Sequence, residues 1–125
     1  MSEKREFVRV VFDLEDGYIG DFRLSGGERF SAMITNLSGG GMGLAVPRER
    51  AEEIKSGQEL VLKKIIGTAN LTFLSDVATQ IVWIRDMETP DFVNAGCEFH
   101  GLAGETLEQI IRFVDSERKD RGQYD

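Results

Sequence analysis

The sequence predicts an all-β fold: a small antiparallel β-barrel, six-stranded and Greek-key-like, with one C-terminal α-helix packed against it. Three observations favour this class. Short apolar stretches alternate with turn signals along most of the chain, one late stretch alternates apolar and polar residues, and the last apolar stretch changes to a helical period. This order of signals argues against strand–helix–strand units and a parallel sheet.

Length and composition indicate a single soluble domain. The chain has 125 residues, of which 41% are hydrophobic and 30% charged, values typical of a globular domain with its own core. The longest apolar runs cover only a few residues, and the N-terminus lacks the apolar core of a signal peptide. We therefore expect a cytoplasmic protein without membrane insertion.

Net charge and the cysteine count argue against several classes of function. A net charge of −7 disfavours binding of DNA or RNA over a broad surface, because such binding neutralises many phosphates. A few local arginines can still hold one small anion. One cysteine, Cys97, and one histidine, His100, cannot assemble a Cys/His zinc site, and we expect no metal and no cofactor.

The N-terminal half predicts a charged leader followed by strands. Residues 1–9 are mostly charged and are predicted to form a flexible leader. Glycine-containing turns separate the segments with strand character. These segments are Val8 to Leu14, Tyr18 to Leu24, Arg29 to Leu37 and Met42 to Val46.

The second half predicts a short surface helix and further strands. Arg48 to Lys55 is polar, with apolar residues three apart, which suits the helix. The strand candidates are Gln58 to Ile66, Ala69 to Leu74, Val77 to Arg85 and Phe92 to His100. In the last of these, Val93, Ala95, Cys97 and Phe99 alternate on one face, so we expect that strand to be half buried.

The C-terminal segment predicts an amphipathic helix. Its apolar residues Leu107, Ile110, Ile111 and Val114 are spaced i, i+3, i+4 and i+7, which gives one apolar stripe on a helix from about Ala103 to about Arg118. We expect the stripe to pack against the sheet. The barrel and helix therefore span residues 10–118, and residues 119–125 form a polar tail.

The stretch from Asn36 to Gly43 contains four glycines and two short polar side chains, just before an apolar strand. Glycine accepts positive φ and leaves the backbone bare, so the cluster makes a turn, a contact surface, or both. It lacks the Lys-Ser/Thr ending of a P-loop and the strand-to-helix context of a dinucleotide fingerprint. A tight hairpin or bulge that binds nothing is the alternative.

The order of motifs resembles that of the PilZ domain family, whose members are bacterial receptor modules for the second messenger cyclic di-GMP. The family's Arg-x-x-x-Arg motif corresponds to Arg5–Arg9 here. Its Asp/Asn-x-Ser-x-x-Gly-x-Gly/Ala motif corresponds to Asn36–Gly43. A late strand, Ala95–Phe99, also matches, as does the preceding strand Ile81–Arg85. Two arginines four apart are common, but both motifs in this order and separation are fairly specific.

The resemblance implies a ligand-binding set. Arginine suits both parts of cyclic di-GMP, because its guanidinium donates a fork of hydrogen bonds to phosphate or guanine and stacks on a base. Two polar side chains would bind a guanine edge, and two glycines would shape the floor of the site. The implied arginines are Arg5 and Arg9, and the polar side chains are Asn36 and Ser38. The glycines of the floor are Gly41 and Gly43.

Secondary candidates and one substitution complete the implied site. Lys4, Gly40 and Trp83 are further candidates; Lys4 would favour stacked ligand dimers, whereas barrel packing is the alternative role of Trp83. Many family members have Asp where this chain has Asn36. Asn offers one acceptor oxygen, so affinity would be lower by about 1.5–3 kcal/mol gross, the value of one hydrogen bond to a charged group. We interpret this as tuning of affinity.

We therefore predict a non-catalytic cyclic di-GMP binding protein, active in motility or biofilm regulation. Its arginine leader would order over the bound nucleotide and alter a surface for an unidentified protein partner acting in trans. The sequence shows no arrangement of residues that supports catalysis. Alternation puts Cys97 and His100 on opposite strand faces, and Ser38 has no visible histidine partner. The alternative is a PilZ-like protein-interaction adaptor that does not bind nucleotide.

Overall fold

The computed structural model describes residues 7–86 and 90–123. The strands are β1 (Arg9–Val11), β2 (Ile19–Leu24), β3 (Arg29–Ser38), β4 (Gly41–Pro47), β5 (Glu59–Ile66), β6 (Val77–Arg85) and β7 (Phe92–His100), and the helix is α1 (Gly104–Asp120). Short 3-10 helices cover Leu14–Asp16, Arg48–Glu53 and Ala69–Leu71. Among the described residues, no helix is long and apolar enough to cross a membrane.

Six of these strands close into an antiparallel barrel. The ring runs β2-β5-β6-β7-β4-β3 and closes where β3 pairs with β2. β1 is an additional strand that pairs with the C-terminal end of β3, where Arg9 lies opposite Ser38 and Val11 opposite Asn36. Closure leaves no open edge in the ring. The predicted six-stranded barrel with a C-terminal helix is confirmed.

The core fills the barrel from alternate positions of the strands. Phe22 and Phe30, on paired strands, are buried with ring centroids 6.3 Å apart. In β7, Val93, Ala95 and Cys97 are all buried, as the alternation predicted. The inward-facing side chains of neighbouring strands pack against one another inside the barrel.

The stripe of α1 is narrower than predicted. The helix contacts β1 and β3, and Ile110 and Val114 are buried there. Ile111 is 42% exposed, whereas Phe113 packs partly buried against the core. The sheet covers only the helix residues nearest to it, and Ile111 lies outside that covered face.

Two local predictions were wrong. The strand predicted over Ala69–Leu74 is a 3-10 helix over Ala69–Leu71 followed by a turn, and this arrangement buries both Leu71 and Leu74, three residues apart. The strand predicted over Val8–Leu14 contains only Arg9–Val11, since a 3-10 helix begins at Leu14 and the preceding Asp13 N–H donates to Asp16 Oδ2 at 2.8 Å. The short surface helix predicted over Arg48–Lys55 is present as a 3-10 helix that ends at Glu53.

The segment after α1 is fastened to β1 by Gln123. The Val11 N–H donates to Gln123 Oε1 at 2.8 Å, and Gln123 Nε2 donates to the Val11 carbonyl at 2.8 Å. The amide side chain therefore satisfies the outer edge of β1 as a neighbouring strand would. Gln123 belongs to the predicted polar tail, yet it is part of the folded domain.

Arg121 makes a second connection between the two ends of the chain. Its guanidinium pairs with Asp16 at 2.9 Å and with Glu117 at 2.8 Å. The guanidinium carbon lies 5.1 Å from the centre of the Phe12 ring. The hydrogen bond from Arg121 lowers the pKa of Asp16, and the hydrogen bond to Asp16 raises the pKa of Arg121.

Replacing Arg121 is expected to destabilise the fold. Arg121→Ala loses two ion pairs and a cation–π contact, so we expect the free energy of unfolding to fall by about 1–2 kcal/mol at pH 7, measured by urea denaturation. The folded pKa of Asp16 lies below its unfolded value, so its contribution is present above about pH 4 and is lost as the pH falls through the folded pKa. The difference in the free energy of unfolding between wild type and Arg121→Ala should therefore become smaller at acidic pH.

The matched control is Arg112→Ala, which removes an exposed arginine from the same helix. It should leave the free energy of unfolding nearly unchanged. An equal loss in both variants would contradict a specific role of Arg121.

Candidate ligand-binding site

The strand register brings distant parts of the sequence onto one outer face of the barrel. Directly opposed residues of neighbouring strands project from the same face of a sheet. Asn36 of β3 opposes Gly43 of β4, Gly43 opposes Gly96 of β7, and Gly96 opposes Trp83 of β6. A row of one polar residue, two glycines and one tryptophan therefore crosses four strands.

Two β-bulges direct the ends of this row outward. The register shifts between Ile34 and Asn36 in β3 and between Ile81 and Trp83 in β6. Ile34 and Ile81 are buried, so strict alternation would turn the residues two positions later into the core as well. The extra residue in each strand reverses this direction. Asn36 and Trp83 thereby face the same outer surface.

Gly43 and Gly96 form the floor between these two side chains. A Cβ at Gly43 would overlap Asn36 Nδ2 and lie 2.8 Å from Thr35 Oγ1. A Cβ at Gly96 would overlap the Trp83 indole. Neither glycine has a positive φ, so their contribution is space for Asn36 and Trp83 to lie close to the sheet.

Arg9 and Asn36 join the two motifs, which are 27 residues apart in the chain. Arg9 Nη1 donates a hydrogen bond to Asn36 Oδ1. Asn36 Nδ2 donates to Thr35 Oγ1 at 3.3 Å. One of the two lone pairs of the Asn36 Oδ1 atom therefore accepts from Arg9 in this structure.

Ser38 and Gly41 hold the backbone of the β3–β4 turn. The Ser38 hydroxyl accepts from the Gly40 N–H at 3.1 Å and donates to the Gly41 carbonyl at 3.5 Å, and Ser38 is only 2% exposed. A Cβ at Gly41 would overlap the Cys97 carbonyl oxygen. Both residues thus shape the turn and the close approach of β4 to β7.

The face contains a cleft of about 310 Å³. The structure brings seven of the predicted site residues to its lining: Arg9, Asn36, Ser38, Gly40, Gly41, Gly43 and Trp83. The remaining two, Lys4 and Arg5, lie outside the described residues. The lining also includes Phe7, Val82, Gly96 and Glu98, which the sequence did not single out as site residues.

Phe7, the first described residue, packs against Gly39 in the β3–β4 turn. A Cβ at Gly39 would lie 2.8 Å from Phe7 Cδ1 and 3.0 Å from Leu107 Cδ1. The ring therefore packs where Gly39 leaves room, next to α1. Its position midway between Arg5 and Arg9 was the available signal, since an apolar side chain in a charged leader needs a place to be buried.

Trp83 both packs on the sheet and lines the cleft. Its indole lies against Gly96, and the Arg85 guanidinium carbon lies 4.7 Å from the ring centroid. The packing role that the sequence offered for Trp83 is present, and contact with a ligand stays a prediction. A lone glycine in the regular strand β7, opposite a tryptophan, was the signal for Gly96.

Cys97 and His100, which carry nucleophilic or metal-binding groups, differ in their exposure. Cys97 is buried, and burial raises the pKa of its thiol to about 12. His100 is exposed, on the opposite face of β7, as the alternation predicted, and its Nε2 lies 3.1 Å from Glu98 Oε1. Within the described residues, no three Cys, His, Asp or Glu side chains are grouped to hold a metal ion.

Adding a methyl group at Gly96 is expected to displace Trp83. In Gly96→Ala the new Cβ overlaps the indole, so the ring must leave the sheet and become more exposed. Trp83 is the single tryptophan, so its fluorescence emission should shift to longer wavelength. Gly104→Ala, where a Cβ meets nothing within 4 Å, is the control, and an unshifted emission in Gly96→Ala would contradict the assigned packing.

The fold and the cleft define a class, the small closed β-barrels with a ligand-sized cleft on an outer face. This chain belongs to the PilZ domain family, whose family model matches residues 3–116. The membership inferred from the two motifs is confirmed. No curated protein sequence matches the chain.

Solved structures share the fold at low sequence identity. The PilZ domain of Escherichia coli YcgR with c-di-GMP matches with a TM-score of 0.79 and 19% identity, over 97% of both chains. The K. pneumoniae MrkH–c-di-GMP complex matches with a TM-score of 0.75 and 13% identity, over 98% of this chain and 56% of that chain. The Bacillus subtilis inhibitor of motility MotI/DgrA matches with a TM-score of 0.71 and 13% identity, over 96% of this chain and 54% of that chain. The chain spans about half the length of these last two proteins.

Proposed function

We propose that this chain is a non-catalytic receptor for cyclic di-GMP. The observation that carries the proposal is the contact of Arg9 with Asn36, which joins two distant motifs at one cleft. Membership of the PilZ family supports the same ligand. The c-di-GMP complexes of YcgR and MrkH support it further.

The cleft offers each part of the nucleotide a suitable partner. Arg9 donates a fork of hydrogen bonds to a phosphate or to guanine O6 and N7. The indole of Trp83 offers a surface on which a base can stack, a contact worth about 1–3 kcal/mol per base. Gly43 and Gly96 let Asn36 and Trp83 lie close to the sheet, so a base would contact these side chains rather than the backbone beneath them.

The residues before Phe7 are proposed to cover the part of the ligand that extends out of the cleft. A volume of about 310 Å³ is at the lower end for ligand pockets, so the dinucleotide would project from it. Phe7 lines the same cleft. Arg5 would then contact the outer phosphate or guanine, and Lys4 would favour a stacked ligand dimer.

Ligand binding is proposed to signal through β1. Arg9 belongs to β1, and Val11 of the same strand is bonded to Gln123 beyond α1. Ordering of the leader would therefore change the position of β1 and the surface near α1. MotI is described as an inhibitor of motility, and we propose a protein partner in motility or biofilm control.

Titration calorimetry with cyclic di-GMP tests the proposed function. We expect saturable binding with a micromolar or lower dissociation constant, and the nucleotide should be recovered chemically unchanged. Cyclic di-AMP, which has the same phosphate ring and different bases, should bind much more weakly. Absence of cyclic di-GMP binding at tens of micromolar protein would contradict the proposal and favour the adaptor.

A further inference from the structure

We infer that Glu98 selects guanine in this cleft, by accepting hydrogen bonds from its N1–H and N2–H₂ groups. The inference rests on the proposed function, because it assigns one contact within the same site. It concerns a residue outside both sequence motifs.

Register places Glu98 at one end of the glycine floor. Glu98 follows Gly96 by two residues in β7, so both project from the same face. It opposes Gly41 of β4 on one side and Gln80 of β6 on the other. Its side chain lines the cleft and is 52% exposed, so it is accessible to a bound base.

The two charged side chains among the described lining residues have opposite signs. Arg9 lies on β1 and Glu98 on β7, with β3 and β4 between them. Three inter-strand steps separate their backbones by roughly 14 Å. Phosphates are attracted to Arg9 and repelled by Glu98, so the phosphate ring is expected at the β1 side. A base is then left at the Glu98 end.

Glu98 supplies the acceptor pair that Asn36 lacks. Guanine presents two adjacent donors on its Watson–Crick edge, and a carboxylate can accept from both at once. Asn36 has one acceptor oxygen, which accepts from Arg9, while its Nδ2 donates to Thr35. Among the described residues of the lining, Glu98 carries the carboxylate.

His100 lies within hydrogen-bond distance of the Glu98 side chain. Its Nε2 lies 3.1 Å from Glu98 Oε1, and both residues project from the outer face of β7. A carboxylate held by one partner loses less side-chain entropy when a base binds. The same carboxylate would disfavour adenine, whose N1 is an acceptor in place of the guanine N1–H donor.

The test compares cyclic di-GMP with its inosine analogue, which lacks the 2-amino groups, in wild type and in Glu98→Gln. Wild type should bind cyclic di-GMP about 10-fold or more tightly than the inosine analogue. Glu98→Gln should weaken cyclic di-GMP binding by about 10- to 100-fold and bind the two nucleotides within about 3-fold of each other. Calorimetry gives both constants, and thermal unfolding verifies that the variant is folded.

Glu59→Gln is the matched control. Glu59 opposes Gln80 from β5, so it lies two strands from Glu98, is exposed and does not line the cleft. Removing its charge should change neither affinity nor preference. Equal weakening by both substitutions would mean that the loss does not depend on a contact in the cleft and would overturn the inference.

Two further results would overturn it. One is unchanged or tighter cyclic di-GMP binding by Glu98→Gln; the other is an equal loss for both nucleotides. Absence of wild-type binding would overturn the proposed function and this inference together. Wild-type binding with an unaltered Glu98→Gln would overturn this inference alone.

Discussion

Arg9→Ala is expected to lower the affinity for cyclic di-GMP by about 100-fold or more, because it removes a charged fork of hydrogen bonds to phosphate or guanine. It also removes the Arg9 contact that holds Asn36 at the cleft. Arg9→Lys should lie between wild type and Arg9→Ala, since the ammonium keeps the charge but not the planar fork. Calorimetry at one fixed ionic strength measures all three affinities.

The control for Arg9 is Arg23→Ala. Arg23 is exposed on β2 and does not line the cleft, so its loss changes net charge equally without touching the site. It should keep wild-type affinity. Full affinity in Arg9→Ala, or the same loss of affinity in Arg23→Ala, would contradict a specific contact of Arg9 with the nucleotide.

Gly41→Ala is expected to destabilise the barrel by about 2–3 kcal/mol, near the upper end for overpacking. The new Cβ would overlap the Cys97 carbonyl oxygen and lie 2.8 Å from Glu98 Cα. Both atoms are backbone, so no side-chain rotation can relieve the overlap and β4 must move away from β7. Urea denaturation measures the change in the free energy of unfolding.

Gly104→Ala is again the control, because a Cβ there meets nothing within 4 Å and alanine favours the first turn of α1. That variant should be as stable as wild type or slightly more so. A stable Gly41→Ala would show that the β4–β7 contact is looser than the structure has it.

Apolar periodicity was sufficient to predict the barrel and its helix. The succession of strand segments along the chain follows from short apolar stretches between turn signals, and the burial of Val93, Ala95 and Cys97 in β7 follows from the period of two. The segment containing Leu71 and Leu74 could not be assigned in this way. Two leucines three apart in a short apolar run fit a strand or a turn of helix equally, and tertiary burial decides between them.

The motifs identified Arg9 and Asn36, but not the geometry that brings them to one face with Trp83. That geometry depends on two bulges, and a bulge reverses the direction of every later side chain. Strict alternation would place Asn36 and Trp83 in the core. Glu98 was missed for a related reason, since its proximity to the glycine floor follows from strand pairing between distant segments.

Fluorescence titration of Trp83 with cyclic di-GMP, run beside calorimetry, tests most directly that the outer-face cleft is the nucleotide site. Trp83 is the single tryptophan and lines the cleft from β6. We predict a saturable change in its emission, with the same dissociation constant as calorimetry and with no such change for Arg9→Ala at the same ligand concentrations. Calorimetric binding that leaves the emission of Trp83 unchanged, or no binding at all, would contradict this assignment.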